Sequence, residues 1–131
     1  MSGLTDLRTI LASLVPVVQA DAVVYATVDA QAAASLPTLA TIREEEGTTV
    51  VLRRADADAA GLSYDLVLAW ITLNVHTALE GVGLTAAFSR ALADAGIPCN
   101  VLAGYFHDHI LVPEELADDA LTALRALRNA R

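Results

Sequence analysis

A chain of 131 residues has room for one ordinary domain or two very small ones, and with 55% hydrophobic but only 5% aromatic residues its core must be aliphatic. The formal net charge is -8 and arginine supplies every positive charge, a balance that argues against a nucleic-acid phosphate backbone and against anionic membrane surfaces, both of which call for basic patches. Cys99 is the only cysteine, which excludes an internal disulfide and a multi-cysteine metal site and suits a reducing, cytoplasmic setting.

No apolar run reaches the roughly 18 residues of a membrane helix. Ile10–Val18 is broken by Ser13 and Pro16, and Leu66–Val75 carries Thr72 and Asn74. The flanks of Ile10–Val18 (Asp6 and Arg8 before it, Gln19-Ala20-Asp21 after it) are wrong for a signal peptide, so it reads as mature sequence.

The first expected element is a helix over about Leu4–Leu14, where Leu4, Leu7, Ile10, Leu11 and Leu14 form one stripe and Pro16 supplies a stop. Ala22–Val28 is β-branched and aromatic and reads as a strand. Asp29–Pro37 is an alanine-rich linker or short helix. Leu39–Arg43 and Thr48–Arg53 then form a hairpin about Glu44-Glu45-Glu46-Gly47, and Ala55–Ala60 has room for one or two helical turns before Gly61.

Tyr64–His76 predicts a long strand with apolar residues on both faces. Gly81–Ala95 predicts a helix closed by Gly96, with Val82, Leu84, Ala87, Phe88, Ala91 and Leu92 as its buried stripe. Strands are expected over Ile97–Tyr105 and His109–Val112, with a turn around His107-Asp108. A last helix over about Glu114–Leu127 has its acids first and Arg125 and Arg128 at its end, as the helix dipole favours. From Tyr64 onward the order is β-α-β-β-α, a ferredoxin-like βαββαβ unit without its last strand.

The stretch Ile71–Val112 resembles an ACT domain. An apolar strand runs into a histidine-bearing turn at His76, Gly81-Val82 precedes a helix, that helix ends in Ala95-Gly96-Ile97, and Asn100 follows near the start of the next strand. More closely, the chain resembles a family of small bacterial proteins built from tandem ACT-like domains. The stretches that carry this are Arg43–Gly47, Thr72–Thr77, Glu80–Gly83 and Gly104–His109. The resemblance covers nearly the whole chain, most strongly from Asp65 on.

The resemblance implies an α+β, ferredoxin-like ACT fold with two ACT-like halves packed together, residues 1–63 and 64–131. It implies a non-catalytic regulatory module without a cofactor, binding a small effector such as an amino acid, and a homodimer. The effector site it implies lies at the strand-to-helix turn, with Asn74, His76, Thr77, Glu80, Gly81, Val82 and Gly83, joined by Asn100, Tyr105 and His107. Helix-start N–H groups favour a carboxylate, and glycine allows close approach to the backbone. Where amino-acid-binding ACT turns often carry a polar residue and a proline, this sequence has Ala78 and Glu80. That departure favours a second reading, in which the ACT-like surfaces serve assembly without any ligand.

Other candidates have plainer readings beside them. His107-Asp108-His109 has the alternation of a metal site or of a small His/Asp-dependent enzyme, but a hairpin turn is expected to interrupt it, which favours a polar turn fixed by Asp108. Glu44–Glu46 reads as a solvated turn before it reads as a cation site. Cys99 reads as a packed thiol and Trp70 as core or interface packing.

Overall fold

The computed structural model describes residues 3–75 and 83–129. In chain order the elements are α1 (Gly3–Ala12), β1 (Val15–Val18), β2 (Val23–Val28), α2 (Ala30–Ser35), β3 (Thr38–Arg43), β4 (Thr48–Arg53), α3 (Arg54–Ala59), β5 (Val67–Asn74), α4 (Leu84–Asp94), β6 (Asn100–Ala103), β7 (Asp108–Pro113) and α5 (Ala117–Ala126). Single 3-10 turns, Glu114–Leu116 and Leu127–Asn129, flank α5. Two compact units result: Ala20–Ala69, and Met1–Gln19 together with Trp70–Arg131.

In the unit Ala20–Ala69, β2 and β4 pair antiparallel from Val23 opposite Arg53 to Val28 opposite Thr48. Strand β3 lies outside β4, and Val23 and Val24 pair on their other side with Leu68 and Val67 of β5. The spatial order β3-β4-β2-β5, with α2 and α3 as crossovers, completes a βαββαβ unit. Its core is Val24, Val50, Leu52 and Ala57, with Ala33, Leu36, Leu62 and Tyr64 packed against them. Each fully buried aliphatic side chain of valine or leucine size contributes about 1.5–3 kcal/mol. Asp29 caps α2 by accepting the Ala32 N–H at 2.8 Å. The acidic turn is closed by paired backbone bonds between Glu44 and Gly47, and Glu44, Glu45 and Glu46 are exposed, as a solvated turn requires.

In the other unit β1 pairs antiparallel with β5, from Val15 opposite Asn74 to Val18 opposite Ile71. Strand β5 neighbours β7, and β7 pairs antiparallel with β6, giving the order β1-β5-β7-β6. The expected β-α-β-β-α succession is present, and its vacant fourth-strand place is filled by β1, from the other end of the sequence. No strand is legible at Val15–Val18, because four residues containing a proline carry no period-two signal. They are extended because β5 offers them partners, and Pro16 is tolerated there because β1 is an edge strand. Strand β5 therefore serves twice: residues 67–68 pair with β2 and residues 71–74 with β1.

One face of these four strands meets the helices. Ile71, Leu73, Ile110 and Val112 are wholly buried, as are Phe88 and Leu92 of α4 and Ala120 and Leu124 of α5. Several expected boundaries shift, some of them by more than two residues or in helix type. The long strand is confined to Val67–Asn74, the strand expected from Ile97 starts at Asn100, and the last helix begins as a 3-10 turn. The late start of β6 has a local cause. Gly96 at φ +74° and Ile97 bond back to the Ala93 and Leu92 carbonyls, so these residues finish α4 instead of beginning a strand.

Candidate functional site

Alternation along β5 puts Ile71 and Leu73 on the helix-covered face and Trp70, Thr72 and Asn74 on the opposite one. On β7 the corresponding residues are His109 and Leu111, and the β6–β7 register sets Leu102 opposite His109 and Asn100 opposite Leu111. Trp70, Thr72 and Asn74 of β5 thus share a face with His109 of β7 and Asn100 of β6.

Side-chain contacts tie the two strands together. The Trp70 indole N–H donates to Thr72 Oγ1 at 3.2 Å, and that oxygen lies 3.0 Å from His109 Nδ1. The Trp70 and His109 rings stack at 4.9 Å with their planes 38° apart. Trp70 is buried; Thr72 and His109 are half-buried.

The hairpin between β6 and β7 is closed by the Gly104 N–H donating to the His107 carbonyl at 2.9 Å. This corrects the expectation that a turn separates His107 from His109. The turn ends at His107, β7 begins at Asp108, and the two imidazoles lie T-shaped with centroids 6.4 Å apart. A side chain at Gly104 would crowd both: its Cβ would stand 2.9 Å from the His107 carbonyl oxygen and 3.1 Å from His109 Nε2. At the tip Tyr105 and Phe106 are 79% and 81% exposed and pack edge to face on each other.

Burial holds the His109 pKa below the ordinary histidine value, His107 lowers it further, and Asp108 opposes both. The neutral form of the His109 imidazole is therefore favoured. Cys99, half-buried in the loop before β6, has its thiol pushed up by burial, which suits a packed thiol and not a nucleophile.

The ten sequence-predicted site residues fall into three groups. His76, Thr77, Glu80, Gly81 and Val82 lie outside the described residues. Asn74 is half-buried at the end of β5, and Gly83 caps the start of α4 at φ +99°, a left-handed conformation that a side chain resists. Asn100, Tyr105 and His107 are exposed on the β6–β7 hairpin. The structure brings His107 beside His109, a residue outside the predicted set, and adds Thr72 and Trp70 behind it. Two signals pointed there: the alternate spacing of Trp70, Thr72 and Asn74, and the two-residue spacing of the histidines. What joins them is a contact across 37 positions, which no local pattern encodes. A separate cavity of about 340 Å³, lined by Ala12, Arg125, Arg128 and Asn129, shares none of these residues.

An ACT domain model matches residues 2–69, and a second ACT domain model matches residues 66–126. The chain belongs to the ACT domain family. A Vibrio cholerae protein of unknown function, a possible transport protein, is 45% identical with a TM-score of 0.88, over 97% of this chain and 99% of that one. Two more distant structures share the fold. An Agrobacterium tumefaciens protein is 15% identical with a TM-score of 0.67, covering 82% of this chain and 84% of that one. The ligand-free regulatory subunit of aspartate kinase from Thermus thermophilus is 10% identical with a TM-score of 0.59, covering 88% of this chain and 98% of that one. No curated protein sequence matches the chain. ACT domains are typically regulatory modules that bind small molecules. No helix among the described residues is long and apolar enough to cross a membrane.

Proposed function

We propose that this tandem ACT protein is a non-catalytic regulatory module for a small, amino-acid-like effector, acting in the cytoplasm as a homodimer. The observation that carries this reading is the presence of ACT domains over residues 2–69 and 66–126. The effector site is the segment from Asn74 to Gly83, with Asn100, Tyr105 and His107 as further contacts. Free N–H groups at the start of the 11-residue helix α4 suit a carboxylate, and the Gly81–Gly83 stretch lets it approach the backbone. In this reading His76 and Thr77 contact the effector and Glu80 pairs with its amino group. Regulation then requires that the effector bind one conformation of the protein more tightly than another.

Thermal melting against the proteinogenic amino acids tests this. A ligand at a hundred times its Kd stabilises by about 2.7 kcal/mol. The reading expects such a shift with at least one amino acid and its loss in His76→Ala or Glu80→Ala. A flat panel removes the amino-acid-like effector.

The assembly reading has its own support. Strand β3 is the outer strand of its sheet, and its Leu39 and Ile42 are each 43% exposed. If assembly is the whole function, Ile42→Arg yields a monomer by light scattering, and no small molecule moves the melting temperature of the wild type.

A further inference from the structure

We propose that His107 and His109, on the β6–β7 hairpin, form a two-imidazole site for a divalent transition-metal ion, with Thr72 and Trp70 holding the His109 ring in place. This does not depend on the effector reading above.

The geometry supports it in three ways. First, the two rings are within reach of one ion. Metal–imidazole bonds of about 2.0–2.1 Å put an ion roughly 3.2 Å from each ring centroid, so centroids about 5–6.4 Å apart can share it. The observed separation is 6.4 Å, and His107, exposed at the end of the turn, has only to swing inward by about 1 Å to reach a tetrahedral angle.

Second, the His109 ring is already oriented for ligation through one nitrogen. Nδ1 faces Thr72 Oγ1 at 3.0 Å, and that oxygen takes the Trp70 N–H on one lone pair, leaving the other for Nδ1–H. Metal binding selects this tautomer, in which Nε2 carries the free lone pair. A ligating histidine characteristically donates its second N–H to an oxygen in this way. Nε2 is the atom beside Gly104, where the missing side chain keeps the approach open.

Third, the surroundings of the hairpin are acidic. Asp108 between the histidines and the net charge of -8 draw a cation to the hairpin. Imidazole donors select zinc, copper or nickel over magnesium or calcium. Among the described residues no group of three or more His, Cys, Asp or Glu is placed to hold an ion, so water completes the coordination and the ion exchanges readily.

Trp70, the single tryptophan, reports on the site because its ring stacks on His109. Tag-free, chelator-treated full-length protein is titrated with copper(II) chloride while Trp70 emission is followed, and zinc chloride is then added as competitor. The expected result is saturable quenching at one equivalent that a large excess of zinc reverses. His107→Ala, an exposed change that leaves the core alone, should raise the apparent Kd by about tenfold or more, and His109→Gln should do the same. Thr72→Val, which removes only the oxygen behind the ring, should weaken binding by about tenfold. Quenching that fails to saturate, that persists unchanged in both histidine variants, or that disappears in His76→Ala while surviving in His107→Ala overturns the proposal.

Discussion

Replacing Gly104 with alanine probes the hairpin and the His109 environment together. The new methyl would lie 2.9 Å from the His107 carbonyl oxygen and 3.1 Å from His109 Nε2, the first closer than real contacts of a Cβ come. Relief means opening the 2.9 Å bond between the Gly104 N–H and the His107 carbonyl, or tilting the imidazole away from Thr72. Overpacking of this kind costs about 1–3 kcal/mol. Alanine returns about 0.4–1 kcal/mol by restricting the unfolded chain. The net loss is roughly 0–2.6 kcal/mol. For 131 residues, at about 2.1 cal/mol/K each, the melting entropy is about 0.28 kcal/mol/K, so Tm should fall by up to about 9 °C. Calorimetry on wild type, Gly104→Ala, His109→Ala and the double variant closes a cycle. Because part of the clash is with the ring, the double variant should recover at least about 0.5 kcal/mol relative to additivity. A Gly104→Ala protein that melts above the wild-type temperature refutes the argument.

Three further outcomes follow from the packing and capping. Asp29→Ala removes the acceptor of the Ala32 N–H and should cost about 0.5–2 kcal/mol in urea unfolding, while Asp29→Asn should retain most of it. Phe88→Ala empties a wholly buried site under α4 and should cost about 3–5 kcal/mol; a loss below 1 kcal/mol would mean that the site collapses or that Phe88 is not core. Because burial raises the Cys99 pKa, the thiolate fraction at pH 7 is below that of a free cysteine. Alkylation by iodoacetamide should therefore be slower than for a free thiol and should rise with pH to a midpoint above the ordinary thiol value. A rate equal to that of a free thiol at pH 7 contradicts it.

Within the site, the sequence made individual residues visible and left their grouping hidden. The histidines two apart at 107 and 109 stand out, but the sequence pattern puts the turn at His107-Asp108 where the structure has its tip at Tyr105-Phe106, so the two look divided. Tyr105 stood out as a pocket candidate; the structure exposes it and stacks it on Phe106. Trp70 read as packing, which its burial supports, but its indole N–H reaches Thr72 and thereby His109.

The sequence by itself determined the elements whose signals are local. The leucine stripe of α1, the alternating apolar faces of β5, the Phe88–Leu92 stripe of α4 and the acid-first order of α5 each report their own periodicity or charge to neighbours within a few residues. The acidic hairpin turn and the Gly96 stop are local for the same reason. Tertiary structure alone decided what depends on partners far along the chain. Val15–Val18 became a strand only because Ile71–Asn74 supplied its hydrogen bonds, and β5 came to pair with both β2 and β1 because its two ends meet different neighbours. The Thr72–His109 contact belongs to the same class: two polar side chains on separate strands share a face through a register that neither segment specifies alone.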